Sequence, residues 1–106
     1  MTDDARVELN SDKHRYELFV GDAVAGFAEF HESGNRVVFT HSEVGEAYSG
    51  RGLGKVLAAG ALDDTVARAK VIVPICPFIA AYLEKNPDTY QGHVEAPPAS
   101  ARGQRR

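Results

Sequence analysis

The chain has 106 residues, of which 43% are hydrophobic and 25% charged, a composition typical of one globular domain and not of a disordered chain. Its formal net charge is −3 and it contains no apolar run near the ~20 residues of a membrane helix, which argues against a nucleic-acid or membrane partner. The single cysteine and the scattered histidines argue against an internal disulfide and against a metal site.

The N-terminal half shows the period of β-strands. Residues 1–5 are polar and acidic; we expect them to be flexible, and without a leader-like pattern they favour a cytoplasmic location. Hydrophobic and polar residues then alternate, with turn signals such as Gly21-Asp22 between the segments. These features predict an antiparallel four-stranded meander over residues 6–9, 16–20, 24–30 and 36–44.

The second half changes to a helical period. Between residues 52 and about 68 hydrophobic residues recur three and four apart, which predicts a well-covered helix. Residues 71–75 predict a short buried strand in which Pro74 interrupts the normal pairing, and residues 78–85 predict a second helix. The order β-β-β-β-α-β-α predicts an α+β domain over residues 6–90. Residues 91–106 hold few hydrophobic residues and are expected to form a flexible tail.

A glycine-rich loop joins the fourth predicted strand to the long helix. Its glycines let backbone N–H groups approach a ligand, and the helix N-terminus adds partial positive charge. Two cationic side chains lie in the same stretch. The loop therefore predicts a phosphate or pyrophosphate site, the alternative being a loop that only turns the chain, and its residues are Gly50, Arg51, Gly52, Gly54 and Lys55.

Two common phosphate-binding motifs are excluded by spacing. The three glycines follow G-x-G-x-G, whereas the dinucleotide fingerprint requires G-x-G-x-x-G. A P-loop would need a glycine at position 49 and a hydroxyl at position 56, where the chain has Ser49 and Val56.

The segment V-G-E-A-Y-S-G-R-G-L-G at residues 44–54 resembles the acyl-CoA pyrophosphate loop of the GNAT superfamily of N-acyltransferases. With H-S-E-V at residues 41–44 and C-P-F at residues 76–78, the chain resembles the short stand-alone GNAT-like subfamily over nearly all of residues 6–90. The resemblance implies a minimal GNAT-like fold with a mixed, splayed sheet and acetyl-CoA as co-substrate. The residues implied to bind it are Val44, Ser49, Gly50, Arg51, Gly52, Leu53, Gly54 and Lys55. Ser49 departs from the Arg or Gln usual there.

Acetyl transfer to an amine requires a held thioester, a polarised carbonyl and a base. His41 and Glu43 lie two residues apart on the fourth predicted strand, so they share one face and are candidate bases. Cys76 follows the last predicted strand, where it would be either a nucleophile or a neighbour of the thioester; we expect the amine to attack the thioester directly. The resemblance also implies that backbone N–H groups of about residues 43–45 face the acyl group. It makes Tyr82 a candidate general acid, with a packing aromatic as the alternative.

These features predict an acetyl-CoA-dependent N-acetyltransferase. The chain lacks the helix pair that full-length members place between their first two strands, so a peptide, protein or polyamine is the expected amine acceptor. The alternatives are a non-catalytic acyl-CoA-binding sensor or an interaction module, and a domain that keeps the fold without CoA. The remaining histidines, His14, His31 and His93, are expected to be exposed.

Overall fold

A computed structural model describes residues 5–48, 50 and 52–95 and shows five strands and two helices in the predicted order. The five strands form one sheet in the order β1-β2-β3-β4-β5. Neighbours from β1 to β4 pair antiparallel, and β5 pairs parallel to β4. The predicted α+β fold with a mixed sheet is confirmed. The bounds are β1 Ala5–Asn10, β2 Arg15–Val20, β3 Ala23–Ser33, β4 Arg36–Val44, α1 Leu53–Ala67, β5 Val71–Pro74 and α2 Pro77–Lys85, with a 3₁₀ turn at Glu46–Tyr48.

The hydrophobic core lies between one face of the sheet and the two helices. Contact between α1 and β1 is close, because a Cβ added at Gly60 would lie 2.6 Å from Cβ of Val7. A glycine at this helix position therefore lets α1 lie directly on the sheet. The largest fully buried side chains are Tyr16, Phe39, Leu18, Leu57, Leu62, Ile72, Ile79, Val37 and Thr65.

A polar network fastens the C-terminal end of α1 to the sheet. The hydroxyl of Tyr16 donates to Asp64 at 2.7 Å and accepts from Arg68 at 3.0 Å. Burial raises the pKa of this phenol, which therefore stays neutral and keeps donating. Beside it, the Lys70 ammonium lies 2.9 Å from the Glu32 carboxylate, and its hydrogen bond lowers the pKa of Glu32 below the usual value.

The folded chain continues past the predicted domain end at residue 90. The N–H of Ile72 donates to the carbonyl of His93, and the N–H of Glu95 donates to the carbonyl of Ile72, both at 2.8 Å. Residues 93–95 thus lie along the free edge of β5. Residues 1–4 and 96–106 lie outside the described residues, so their predicted flexibility stays a prediction.

The described part of the chain contains no helix that is both long and apolar enough to cross a membrane.

Candidate active site

Strands β4 and β5 diverge halfway along β4. Their pairing ends at Phe39 opposite Pro74, after which β4 continues to Val44 with β3 as its partner. Pro74 has no N–H with which to extend the ladder, as predicted. The N–H groups of Ile75 and Cys76 both donate to the Phe39 carbonyl, at 3.1 and 2.8 Å, and turn the chain into α2. The sheet therefore opens between the end of β4 and the start of α2.

This opening leads into two adjoining depressions on the helix-covered side of the sheet. The first, the strand cleft, has a volume of about 250 Å³ and is lined by Ser42, Glu43, Val44 and Phe78. The second, the helix groove, has a volume of about 290 Å³ between the start of α1 and α2. Phe78 lines both depressions, so they adjoin at this side chain. The helix groove is lined by Gly52, Gly54, Lys55, Phe78, Ala81, Tyr82 and Lys85.

The glycines of the loop have two structural roles. Gly50 and Gly52 adopt φ of +80° and +73°, the left-handed conformation that favours glycine, and no atom lies within 4 Å of a Cβ added at either. Gly52 is also the N-cap of α1 and offers no side-chain cap, so first-turn N–H groups of the helix face the loop. At Gly54 an added Cβ would lie 3.1 Å from the Phe78 ring, so this glycine lets α2 approach α1.

The other predicted cofactor-binding residues divide into three groups. Val44 lines the strand cleft and Lys55 lines the helix groove, as a binding role requires. Leu53 is only 3% exposed and packs into the core, so it could contact a ligand through its backbone alone. Ser49 and Arg51 lie outside the described residues, and their roles stay predictions.

His41 and Glu43 form a hydrogen-bonded pair, with 2.7 Å between Nε2 of the imidazole and Oε2 of the carboxylate. The two residues share one face of β4, as predicted. Their side chains are 53% and 61% exposed and lie on the face of the sheet that α1 and α2 leave uncovered, where the Phe27 ring is 6.1 Å from the imidazole. A base at this place is reachable by a large acceptor.

A β-bulge places this pair on the uncovered face. Phe30 pairs with Phe39 while Glu29 pairs with His41, so Thr40 is an extra residue in β4. An extra residue reverses the alternation of faces beyond it. Phe39 therefore faces the core, Ser42 faces the strand cleft, and His41 faces the other side.

The thiol of Cys76 lies on the helix-covered side of the opening. Cys76 is the N-cap of α2 and is 3% exposed. Its Sγ donates to Oγ of Ser42 at 3.5 Å, so the thiol is next to the strand cleft. Tyr82 is half-buried beside Tyr90, with 6.5 Å between ring centroids, and it lines the helix groove and not the strand cleft.

The expectation about backbone donors needs one correction. The N–H of Gly45 donates to the carbonyl of Ala25 at 2.7 Å, so it is not available to an acyl group. N–H groups alternate between the two edges of an antiparallel strand. The N–H groups of Ser42 and Val44 are therefore the ones directed to the edge that β5 leaves open.

Sequence reasoning missed four residues that line these depressions, namely Ser42, Phe78, Ala81 and Lys85. Ser42 lies between two titratable residues, and nothing in the local pattern indicated a role for its hydroxyl. Phe78 and Lys85 lie seven residues apart on α2, a spacing that puts them on one helix face and would have been a usable signal. Lys85 gives the helix groove a second cation besides Lys55.

Among residues 5–48, 50 and 52–95, no group of three or more His, Cys, Asp or Glu side chains is arranged to hold a metal ion.

Comparison with known proteins gives matches over the same region. The family model for GCN5-related N-acetyl-transferase matches residues 15–93, well over half of the chain. The chain is 42% identical to Protein NATD1 of Gallus gallus over 64 residues, which are 58% of each protein. It is also 42% identical over 55 residues to Protein NATD1 of Mus musculus and of Homo sapiens, covering 50% and 49% of those proteins. The matches thus span about half the length of the curated relatives.

Proposed function

This chain belongs to the GCN5-related N-acetyltransferase family, and we propose that it transfers the acetyl group of acetyl-CoA to an amine. One observation carries the proposal: one depression lies at the glycine loop, a second lies where β4 leaves β5, and Phe78 lines both. A long cofactor with an anionic end and a reactive end would fit two depressions placed in this way, because the loop supplies N–H donors and the opened strand supplies others.

The cofactor would lie in the helix groove with its pyrophosphate at the start of α1. Lys55 and Lys85 line this groove and would add positive charge. The thioester would then reach the strand cleft, where the N–H of Val44 at the open edge of β4 would donate to its carbonyl oxygen. A donor fixed there stabilises the negative charge that develops on the oxygen when the amine attacks.

The amine would approach from the uncovered face of the sheet. His41 accepts a proton from the ammonium form, and the Glu43 carboxylate, 2.7 Å away, orients the imidazole and stabilises its charged form. The freed lone pair attacks the carbonyl carbon. Base catalysis of this kind is worth about a hundredfold or more, so His41→Ala should lower kcat by that factor and leave the Kd for acetyl-CoA unchanged.

Cys76 allows a second chemical route, in which its sulfur first takes the acetyl group. We favour direct attack, because the thiol is almost fully buried and donates to Ser42, whereas the candidate base is exposed. Mass spectrometry of the native protein after incubation with acetyl-CoA separates the routes. One acetyl group that hydroxylamine removes, and that Cys76→Ala does not acquire, would establish the covalent route.

Two assays test the function itself. Calorimetric titration with acetyl-CoA should give saturable binding, and release of free CoA should require an amine such as propylamine, spermidine or a lysine peptide. Binding without CoA release would favour the acyl-CoA-binding module instead. If acetyl-CoA does not bind at millimolar concentration, the remaining interpretation is a domain that keeps the family fold without binding CoA.

A further inference from the structure

We propose that the hydroxyl of Ser42 delivers a proton to the sulfur of CoA as it departs, with the thiol of Cys76 behind it as the proton source. This inference rests on the acetyl transfer proposed above. It starts from the contact between the two side chains, in which Sγ of Cys76 donates to Oγ of Ser42 at 3.5 Å. Ser42 also lines the strand cleft, whereas Cys76 is buried behind it.

The hydrogen bonds that a serine hydroxyl can make set the direction of proton transfer, which runs from Cys76 through Ser42 to the sulfur of CoA. A hydroxyl has one donor and two acceptor sites. One acceptor site of Ser42 is occupied by the Cys76 thiol, and in the described part of the chain its own proton has no protein acceptor. The strand cleft is the space next to it. A sulfur placed there would receive that proton.

The other candidate proton donors are less well placed. His41 faces the uncovered side of the sheet, and Glu43, although it borders the strand cleft, has its carboxylate hydrogen-bonded to His41 and acts with it on the amine. Tyr82 lines the helix groove together with Lys85, away from Ser42. Ser42 is therefore the side-chain hydroxyl that the described residues bring to the strand cleft.

The step balances without a further reagent. After the amine nitrogen has bonded to the carbonyl carbon, the carbon–sulfur bond breaks and its electron pair moves to the sulfur of CoA. That sulfur takes the Ser42 hydroxyl proton, and Ser42 takes the proton of Cys76. The two protons removed from the ammonium pass through His41 to solvent, and the Cys76 thiolate regains one from water after CoA leaves.

Two substitutions of nearly equal volume isolate the hydroxyl. Ser42→Thr keeps the hydroxyl and adds a methyl group, whereas Ser42→Val has the same shape without it. In a CoA-release assay with a saturating amine, Ser42→Thr should stay within about threefold of the wild-type kcat, and Ser42→Val should lose about a hundredfold. Both should keep the wild-type Kd for acetyl-CoA. A solvent deuterium isotope effect on kcat should be present in the Ser42→Thr variant and absent in the Ser42→Val variant.

The outcomes separate this inference from the proposed function. Equal kcat values for the Thr and Val variants would overturn the role of Ser42 while leaving acetyl transfer intact. A wild-type protein that releases no CoA with any amine would overturn acetyl transfer and, with it, this relay. If Ser42→Val does not give a native circular dichroism spectrum, Ser42→Ala replaces it, with the same loss of kcat and isotope effect expected.

Discussion

Replacing Gly52 by valine tests whether the loop binds the cofactor through its conformation. Gly52 has a φ of +73°, and no atom lies within 4 Å of an added Cβ, so the substitution causes backbone strain and no clash. A non-glycine residue pays about 1–2 kcal/mol in this conformation, and a β-branched one is a clear outlier. The free loop can relax that strain, but a loop holding a pyrophosphate cannot. The strain then appears as lost affinity, about 5- to 30-fold.

Gly34→Val is the matched control. Gly34 has a φ of +62°, also with open space around an added Cβ, in the turn between β3 and β4. This turn precedes β4, whereas the loop follows it, so the two glycines lie at opposite ends of a nine-residue strand. Gly34→Val should lower Tm by about 5–15 °C, from 1–2 kcal/mol in a domain of this size, and Gly52→Val should lower it by less, because the free loop relaxes part of the strain. Calorimetric titration should show weaker acetyl-CoA binding for Gly52→Val alone. Wild-type affinity in Gly52→Val, or equal losses in both variants, would refute the reasoning.

Three further outcomes are expected. Lys85→Glu should weaken acetyl-CoA binding more at low than at high salt, measured by titration at two ionic strengths, because the cation lines the helix groove beside the proposed phosphates. Glu32→Gln should lower Tm at pH 7 and lower it less as the solution is acidified, because a carboxylate whose pKa is lowered by Lys70 stabilises the fold only while charged, and that contribution begins to disappear as the pH falls below the ordinary pKa of 4.5. Truncation after Glu95 should leave Tm within a few degrees, whereas truncation after Tyr90 should lower it further, since two backbone hydrogen bonds to β5 worth about 1 kcal/mol each are removed.

Local sequence patterns were sufficient to predict the elements of the fold. Period-two alternation and turn residues predicted β1 to β4, and the helical period predicted α1 within one residue at each end. Pro74 correctly indicated the end of normal pairing, because a missing N–H is a property of the residue itself. These predictions depend on neighbours in the chain, and the sequence contains that information.

What the sequence did not predict depends on contacts between distant segments. The pairing of residues 93–95 with β5 joins backbone groups, so the polar composition of the tail gave no sign of it. The contact between Ser42 and Cys76 spans 34 residues and exists only because α2 turns back over the end of β4. Similarly, the hydrogen bond from the N–H of Gly45 to the carbonyl of Ala25 removed a backbone donor that the family resemblance had implied.

The extra residue Thr40 explains why the group that deprotonates the amine and the group that protonates the CoA sulfur lie on different faces of β4. In an uninterrupted strand, positions 39, 41 and 43 would share the face that packs on the helices. His41 and Glu43 would then be buried beneath α2, and the Ser42 hydroxyl would face solvent. With one residue inserted, the imidazole of His41 and its partner Glu43 face the uncovered side of the sheet. Ser42, which lies between them in sequence, faces the buried thiol of Cys76. Deprotonation of the amine and protonation of the sulfur can therefore proceed on opposite faces of one strand, with the thioester in the opening between them.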